Sequence, residues 1–595
     1  MKDERWTTDM GRQTMGGRDR ALSLPTFRPS RLLSVTCDPS SIVRRLSSVV
    51  LWSPLAYLAV FFFYPLMEIF RLSLAPEGVF DLQPLRALVA DGYYGRVLWF
   101  TAWQAAASTA LTLVLGLPAA YAFARYSFPG KNFLRALTTV PFVLPTLVVA
   151  AAFTSLLGPR GWLNTWLMEL FSLEQPPIRL TQTIWIILLA HAFYNATIVV
   201  RIVGGFWANL DPRLEEAAQV LGADRWRTFR HVTLPLLTPA LGAATSLVFL
   251  FCFTSFGVIL VLGGPRFATL EVEIYRQTVH LFHLPIAATL SIVQMAVTFS
   301  VMGLYTRWQA RASVPLNFRP QEAAQRPARD WRARLLVALS LGALLVILLV
   351  PLISLVERSL ATADGWSLRY YGELFLDRRG SILFVPPSEA IRNSLAFALA
   401  TVGLSLMIGV AGAYLLARPR RGPGVWLDPI FMLPLGTSAV TLGFGFILAL
   451  DQPPLNLRTS PALVPLAHTL VAFPFVVRSL LPVLRGLNPR WREAATVLGA
   501  SPMRVWLQVD LPIIGRAILV GAVFAFTVSL GEFGATALIA RPEFPTMPIA
   551  IYRFLGQPGA LNYGQALAMS VLLMAVCIAG LLLIERFRYR DIGEF

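Results

Sequence analysis

Twelve stretches of this chain are long and apolar enough to cross a lipid bilayer, and this feature constrains the fold more than any other. A helix rises about 1.5 Å per residue, so about 20 mainly apolar residues are needed to span the hydrocarbon core. The pattern predicts an all-α polytopic membrane protein with about 12 transmembrane helices. The predicted spans are residues 48–70, 97–124, 137–157, 183–203, 239–262, 285–306, 335–356, 393–417, 429–450, 462–484, 517–540 and 565–584.

Composition supports a membrane location and excludes nucleic acid, the partner that the net charge alone would suggest. Of 595 residues, 56% are hydrophobic and 14% charged, more apolar surface than a soluble chain can keep from water. The net charge of +18 would suggest nucleic acid in a soluble protein, but here the basic residues lie in short connections between apolar stretches. With a cytoplasmic N-terminus, 36 of the 51 lysines and arginines fall on the inner side. We therefore expect a multi-pass protein of the bacterial inner membrane with both termini cytoplasmic and no nucleic-acid partner.

Neither the N-terminal tail nor the cysteines indicate a soluble domain, a disulfide framework or a metal site. Residues 1–47 are polar, basic and interrupted by Gly and Pro, which is typical of a disordered cytoplasmic tail rather than a signal peptide. Cys37, Cys252 and Cys577 form no paired motif, and the five histidines form no metal-ligand cluster. We expect no cofactor and no metal.

The chain repeats itself at an offset of 277 residues. This predicts two halves of six spans in parallel order, residues 48–306 and 335–595. Residues 307–334, rich in Arg, Ala, Gln and Pro, are expected to form a solvated cytoplasmic linker between them. The matched pairs include Asp211 and Asn488, His191 and His468, Arg201 and Arg478, Phe256 and Phe533, and Tyr275 and Tyr552.

The most specific signal lies in the connection between the fourth and fifth spans of each half. Both connections, residues 211–235 and 488–512, carry Glu-Ala-Ala, three residues, Gly, nine residues, Val, one residue and Leu-Pro. One such match could arise by chance, whereas two at equivalent points of a repeat indicate a shared role. Each connection follows an even number of spans, so both lie on the same side of the membrane, predicted to be the cytoplasmic one.

Local chemistry predicts that each connection is a pair of short helices joined at a glycine. Asp211 and Asn488 are good helix N-caps, each followed by a proline suited to the first helical position. Gly222 and Gly499 can adopt the left-handed conformation that ends a helix. Second caps follow at Asp224 and Ser501, and the second short helix is expected to end at the Leu-Pro pair. Such an element can transmit a push from a soluble partner to the neighbouring spans.

These two connections resemble the EAA loops of binding-protein-dependent ABC importer permeases. In that family the loop forms a coupling helix that docks on the ATPase subunit. The resemblance therefore implies contact with two copies of a cytoplasmic ABC ATPase and delivery of solute by an extracytoplasmic binding protein. The ATPase-coupling positions that it implies are Glu216, Ala217, Gly222, Glu493, Ala494 and Gly499.

Within that family, the chain resembles the fused permeases of the ferric-iron and thiamine import group. The segments 253–257, 262–265 and 269–275 are most similar to those of the thiamine permeases. The segment 529–534, followed by Thr546-Met547-Pro548 and Tyr552, fits either subgroup. The resemblance implies import of thiamine or a related cationic compound, with ferric iron as the alternative. An ion-gradient-driven secondary transporter is the more distant alternative, since such proteins also show repeats and polar mid-membrane residues.

The sequence predicts a permease that is not itself an enzyme. It contains no Gly-x-x-x-x-Gly-Lys-Ser/Thr loop, because Gly130-Lys131 is followed by Asn and lacks the glycine spacing. No catalytic Ser/His/Asp arrangement stands out. ATP hydrolysis is therefore expected on separate ATPase subunits.

Polar residues within the spans mark candidates for the translocation path, because burying them in hydrocarbon costs free energy. Glu532 lies within the eleventh predicted span and matches Ser255 in the repeat, so a path lined by it would be asymmetric and would favour a cation. Ion pairing or hydrogen bonding between helices is the competing interpretation. Aromatic side chains nearby could stack on an organic cation or simply pack. The candidates are Glu532, Ser255, Phe256, Phe533, His191 and His468.

Overall fold

The computed structural model describes residues 52–76, 78–312, 325–362, 364–377, 383–417, 427–451, 453 and 455–588. The predicted tail, residues 1–47, lies outside the described residues, as does the middle of the linker at 313–324.

The described residues form an all-α membrane protein, as predicted. Eleven helices within them are long and apolar enough to cross a membrane, or twelve when a bent pair of helices is counted as one span. We number the spans 1 to 12 and call spans 1–6 the first half and spans 7–12 the second half. Their bounds are Trp52–Leu74, Gly92–Arg125, Thr146–Phe171, Ile184–Ala208, Arg225–Phe253, Leu284–Gln309, Trp331–Leu360, Pro387–Ala417, Leu427–Gly436 with Ala439–Ala449, Leu463–Gly486, Pro502–Gly531 and Ala560–Ile584.

Short elements connect the spans. The shorter helices are Gln83–Ala90, Lys131–Leu137, Val140–Val143, Pro212–Val220, Gly257–Leu262, Leu270–Val279, Arg369–Gly372, Pro489–Val497, Thr536–Ile539 and Met547–Leu555. Strand Tyr126–Ser127 pairs in parallel with Arg326–Pro327, and Ala361–Thr362 pairs antiparallel with Gly365–Trp366.

Span 9 bends by 97° between its two helices. The break falls at Thr437 and Ser438, three residues after a proline inside the first helix. The Ser438 hydroxyl caps the second helix by accepting hydrogen bonds from the backbone N–H groups of Val440 (3.1 Å) and Thr441 (3.3 Å). Donors freed by the break are therefore satisfied locally, as a non-helical segment at membrane depth requires.

Spans 5 and 11 are each followed by a break and a short helix, where the sequence predicted continuous helices over 239–262 and 517–540. The first break, residues 254–256, precedes helix Gly257–Leu262. The second, residues 532–535, precedes helix Thr536–Ile539. Hydropathy alone misses such breaks, because the residues on either side are apolar. Discontinuous helices of this kind often border the solute path in transporters.

The first span of each half packs against the other half. In span 1, the Tyr57 hydroxyl donates to the carbonyl of Leu466 in span 10 at 2.5 Å. In span 7, the Ser354 and Ser155 hydroxyls lie 3.0 Å apart, joining span 7 to span 3. The two halves therefore interlock, and each buried core contains residues from both.

Small residues allow the closest helix packing at equivalent places in the two halves. A Cβ atom added at Gly116 in span 2 would lie 2.8 Å from the Val199 Cβ in span 4. A Cβ atom added at Gly409 in span 8 would lie 2.7 Å from a Val476 methyl group in span 10. Close backbone approach at small residues is the usual basis of helix association in membranes.

Candidate functional site

The first hairpin, residues 211–235, begins as predicted. The Asp211 carboxylate accepts a hydrogen bond from the Arg213 N–H at 3.0 Å, and the helix Pro212–Val220 follows. Gly222 has a φ of +89°, in the left-handed region that ends a helix. Asp224 caps the second helix, accepting from the Arg227 N–H at 2.7 Å.

The second hairpin, residues 488–512, repeats this geometry. The Asn488 side chain accepts from the Arg490 N–H at 3.1 Å at the start of helix Pro489–Val497. Gly499 has a φ of +81°. The Ser501 hydroxyl accepts from the Arg504 N–H at 3.4 Å and caps the next helix. Both hairpins therefore have the capped, glycine-jointed form that their sequences predict.

The prediction that the second helix of each hairpin ends at Leu-Pro is wrong. In both hairpins it continues through one π-helical turn, 229–233 or 506–510, directly into span 5 or span 11. The Leu234 N–H bonds to the Phe229 carbonyl five residues back. Pro235 then falls in the first turn of the next α-helical segment, where a missing N–H costs little. Each hairpin is therefore continuous with a membrane span.

An ion pair anchors the first hairpin to the end of span 2. The Glu215 carboxylate bonds to the Arg125 guanidinium and also accepts from the Thr233 hydroxyl at 2.9 Å. The Arg125 side chain is only 9% exposed. This contact joins the hairpin's first helix both to span 2 and to the π-helical turn that leads into span 5.

A second ion pair, with the charges exchanged, anchors the other hairpin. The Arg492 guanidinium donates to Asp510 at 2.8 Å, and the Tyr414 hydroxyl of span 8 donates to the same carboxylate at 3.0 Å. The hydrogen bond to Asp510 raises the pKa of Arg492 and so stabilises the charged guanidinium. Arg492 stands at the repeat position of Glu215, and Asp510 at that of Thr233.

These anchors were missed in the sequence. The available signal was a pair of opposite charges, Glu215 and Arg492, at matched repeat positions of two hairpins that share the same motif. Arg125 lies 90 residues from Glu215 and Tyr414 lies 96 residues from Asp510, so spacing alone could not reveal the contacts with spans 2 and 8.

The predicted coupling residues lie on the exposed surface of the two hairpins. Glu216 forms an ion pair with Arg326 at 2.7 Å. Arg326 also belongs to the short strand that pairs with Tyr126–Ser127. Residues 325–330 of the linker therefore pack beside the first hairpin, whereas the sequence predicted only a solvated connector.

Each hairpin also exposes a Val-Leu pair at the end of its first helix, just before the glycine. Val220 and Leu221 are 86% and 88% exposed, and Val497 and Leu498 are each 87% exposed. Contiguous apolar side chains left in water usually mark a protein contact. The sequence signal, an apolar dipeptide at the same place in both repeats, was present but was not used in the prediction.

The predicted histidines hold the breaks that follow spans 5 and 11. His191 is buried, with Nδ1 2.8 Å from the Ser108 hydroxyl and Nε2 2.9 Å from the Ser255 hydroxyl in the first break. His468 is likewise buried, with Nδ1 2.8 Å from Ser529 and Nε2 2.8 Å from Thr536. Each imidazole thus joins span 4 or span 10 to the break that follows span 5 or span 11 of the same half.

Glu532 is occupied by partners of its own half. Its carboxylate accepts from the backbone N–H groups of Ala535 (2.9 Å) and Thr536 (3.1 Å) and from the Thr536 hydroxyl (2.6 Å). One carboxylate oxygen lies 3.4 Å from Nε2 of His468. Glu532 therefore caps the short helix Thr536–Ile539 and faces a histidine of span 10.

Four aromatic side chains meet where the two halves touch. The Phe256 and Phe533 rings, matched in the repeat, stack with centroids 5.4 Å apart and planes 20° apart. Tyr275 packs against Phe256 at 5.3 Å, and Tyr552 packs against Phe533 at 5.5 Å. We call these four residues the aromatic junction. The sequence identified both phenylalanines as candidates, whereas the tyrosines served there only as markers of the repeat and of the thiamine-permease resemblance.

Comparison with known proteins indicates the class of protein to which this fold corresponds. Residues 112–315 match the family model described as "Binding-protein-dependent transport system inner membrane component". The thiamine transport system permease protein ThiP of Escherichia coli (strain K12) is 27% identical over 509 residues, covering 85% of this chain and 91% of that protein. Its namesake in Brucella abortus (strain 2308) is 29% identical over 501 residues, covering 83% and 88%. The probable ABC transporter permease protein y4fN of Sinorhizobium fredii (strain NBRC 101917 / NGR234) is 27% identical over 559 residues, covering 90% and 95%.

An all-α membrane fold with two matched hairpins, similar over most of its length to these proteins, defines an ABC importer permease. The chain is similar to the fused permeases of the binding-protein-dependent family and, among them, to the thiamine permeases. It is a multi-pass inner-membrane protein and a transport subunit rather than an enzyme. Permeases of this family work with an ATPase and a solute-binding protein.

Proposed function

We propose that this permease imports thiamine or a closely related cationic compound from an extracytoplasmic binding protein to the cytoplasm, driven by ATP. The observation that carries the proposal is similarity over more than four-fifths of the chain to permeases named for thiamine transport. The halves are residues 48–306 and 335–595, joined by 307–334, with both termini cytoplasmic.

In this proposal, two copies of a cytoplasmic ATPase dock on the two hairpins. Glu216, Ala217 and Gly222 form the contact in the first half. Glu493, Ala494 and Gly499 form it in the second. Their exposure supports the assignment, as does the exposed Val-Leu pair beside each glycine.

In the proposed mechanism, the helix that runs from each hairpin into a span transmits movement of the ATPase to the membrane. ATP binding closes the ATPase dimer and draws the two hairpins together. Because no joint separates a hairpin from span 5 or span 11, the movement passes directly to the membrane helices and rocks the halves apart on the outer side. The buried ion pairs at Arg125 and Asp510 keep each hairpin's first helix aligned with its span.

The aromatic junction closes the path between the halves in the proposed mechanism. Phe256 lies in the first break and Phe533 in the second, and their rings stack on each other across the boundary between the halves. His191 with Ser255, and His468 with Glu532, hold the backbone from which the two phenylalanines project. These polar residues therefore contribute to the path by positioning its aromatic closure.

The test is uptake of radiolabelled thiamine by proteoliposomes containing the permease, its ATPase and its binding protein. Uptake is expected only with ATP on the ATPase side and is expected to persist when an ionophore collapses all ion gradients. Ferric iron supplied in place of thiamine gives no uptake if the proposal is correct. Uptake that needs a gradient but no ATP would instead establish a secondary transporter.

A further inference from the structure

Glu271 is a buried carboxylate that the transport proposal does not use. It lies in the first turn of helix Leu270–Val279 and is completely inaccessible to solvent. Its carboxylate accepts hydrogen bonds from the Gln294 amide of span 6 and, at 2.6 Å, from the Ser438 hydroxyl. Among the described residues, no cationic side chain lies within ion-pair distance of it. Such burial is costly for a carboxylate and is usually retained for function.

The partners of Glu271 belong to different halves. Gln294 is in the first half with Glu271, whereas Ser438 is in the second half, at the 97° bend of span 9. Glu532 differs in this respect, because its hydrogen-bond and ion-pair partners among the described residues belong to its own half. Separation of the halves would therefore break a hydrogen bond of Glu271 but none of Glu532.

Glu271 lies on the same face of helix Leu270–Val279 as Tyr275, one of the four residues of the aromatic junction. Glu271 and Tyr275 are four residues apart, so their side chains lie one above the other on helix Leu270–Val279. Tyr275 packs on Phe256, which stacks on Phe533 of the other half. A carboxylate beside aromatic faces is the combination that binds an organic cation, by charge and by cation–π attraction.

Only the first half has a carboxylate at this position of the repeat. The repeat position of Glu271 is Pro548, which has no charge to offer. Glu532, beside Phe533, is bonded to groups of its own half, so Glu271 is the carboxylate near the junction that separation of the halves would free. One freed carboxylate matches a solute with one positive charge rather than a trivalent metal ion.

We propose that Glu271 is the carboxylate that receives the cationic group of the solute when the halves separate, with the aromatic junction forming the surrounding walls. In the closed state, the Ser438 hydroxyl donates a hydrogen bond to the Glu271 carboxylate. When the halves rock apart, Ser438 withdraws, Gln294 continues to orient the carboxylate, and the vacated oxygen accepts the cation. This inference rests on the proposed import of a thiamine-like cation and adds the residue that recognises its charge.

Accessibility tests the inference without reference to any solute. In a variant with the three native cysteines replaced by serine, Glu271→Cys is treated with a positively charged methanethiosulfonate reagent at rest and after vanadate trapping with the ATPase. We expect protection at rest and modification in the trapped state, with Ser438→Cys behaving the same way and Glu532→Cys protected in both. Protection of both Glu271→Cys and Ser438→Cys in the trapped state would overturn the inference.

Transport supplies the second measurement. Glu271→Gln should lower thiamine uptake about tenfold or more, the loss expected for one charge-assisted contact. Glu273→Gln is the matched control, because Glu273 is a buried carboxylate of the same helix that bonds to Tyr93 and Gln277 of its own half, and this variant should retain uptake within about twofold of the unsubstituted protein. Equal uptake by Glu271→Gln and the unsubstituted protein would refute the role of Glu271. Absence of thiamine uptake by the unsubstituted protein would refute the proposed function, while the labelling result would still decide whether Glu271 faces the opening between the halves.

Discussion

Replacing the exposed leucine before the glycine of each hairpin with serine tests whether these hairpins dock on an ATPase. Leu221 and Leu498 are 88% and 87% exposed, and each adjoins a valine that is equally exposed. Neither leucine side chain supports the fold, so the substitutions should leave the permease folded. Their effect should appear only in the affinity for the ATPase.

The size of the effect follows from the apolar area available for burial. Fully burying one leucine stabilises a complex by ~1.5–3 kcal/mol, and nearly the whole side chain is available here. Leu221→Ser should therefore cost ~2 kcal/mol of binding free energy, or about 30-fold in Kd. Each hairpin docks one ATPase copy, so Leu221→Ser weakens one site, whereas Leu221→Ser with Leu498→Ser weakens both sites by about 30-fold each.

Binding of the purified ATPase to the permease in nanodiscs, followed by biolayer interferometry, measures this directly. Phe384→Ser is the matched control, because Phe384 is 78% exposed and follows span 7, which places it on the opposite side of the membrane from the hairpins. The control should bind the ATPase as the unsubstituted permease does. A Kd for the double variant within about twofold of the unsubstituted protein would refute docking through these leucines.

Three further substitutions test the packing and the buried polar contacts by thermal or denaturant unfolding in detergent. Gly409→Ala should lower stability by ~1–3 kcal/mol, because the new methyl group would meet a valine of span 10, whereas Gly403→Ala, with open space around it, should not. Asp510→Asn should cost ~2 kcal/mol, because the buried Asp510 carboxylate loses its ion pair with Arg492, against under ~1 kcal/mol for Asp451→Asn in an exposed pair; equal losses would contradict this. Glu532→Gln should cost ~1–2 kcal/mol, because an amide cannot satisfy all the donors that the carboxylate accepts, and an unchanged unfolding midpoint would show that these contacts carry no stability.

Features that depend on neighbouring residues could be predicted from the sequence. The caps at Asp211 and Ser501 and the turn at Gly222 are local, since each is fixed by a side chain or a φ angle within a few residues. The twelve spans follow from hydropathy in the same way. These features depend little on the rest of the fold, so a single sequence was sufficient.

Features that depend on distant residues could not be predicted. The contact between Glu271 and Ser438 joins residues 167 positions apart, and the pairing of Arg125 with Glu215 joins residues 90 apart. The π-helical turn at 229–233 was missed for a different reason. A proline normally ends a helix, and only the wider turn before it allows the helix to continue.

Glu215 and Arg492 occupy the same repeat position but carry opposite charges, which bears on how such a permease can evolve. In a homodimer of six-span chains, any substitution appears at both positions at once, so neither an inverted anchor nor a solitary carboxylate could arise. Joining both copies in one gene removes that restriction. Each half can then acquire its own substitutions. The two halves can therefore differ at the positions that contact an asymmetric solute.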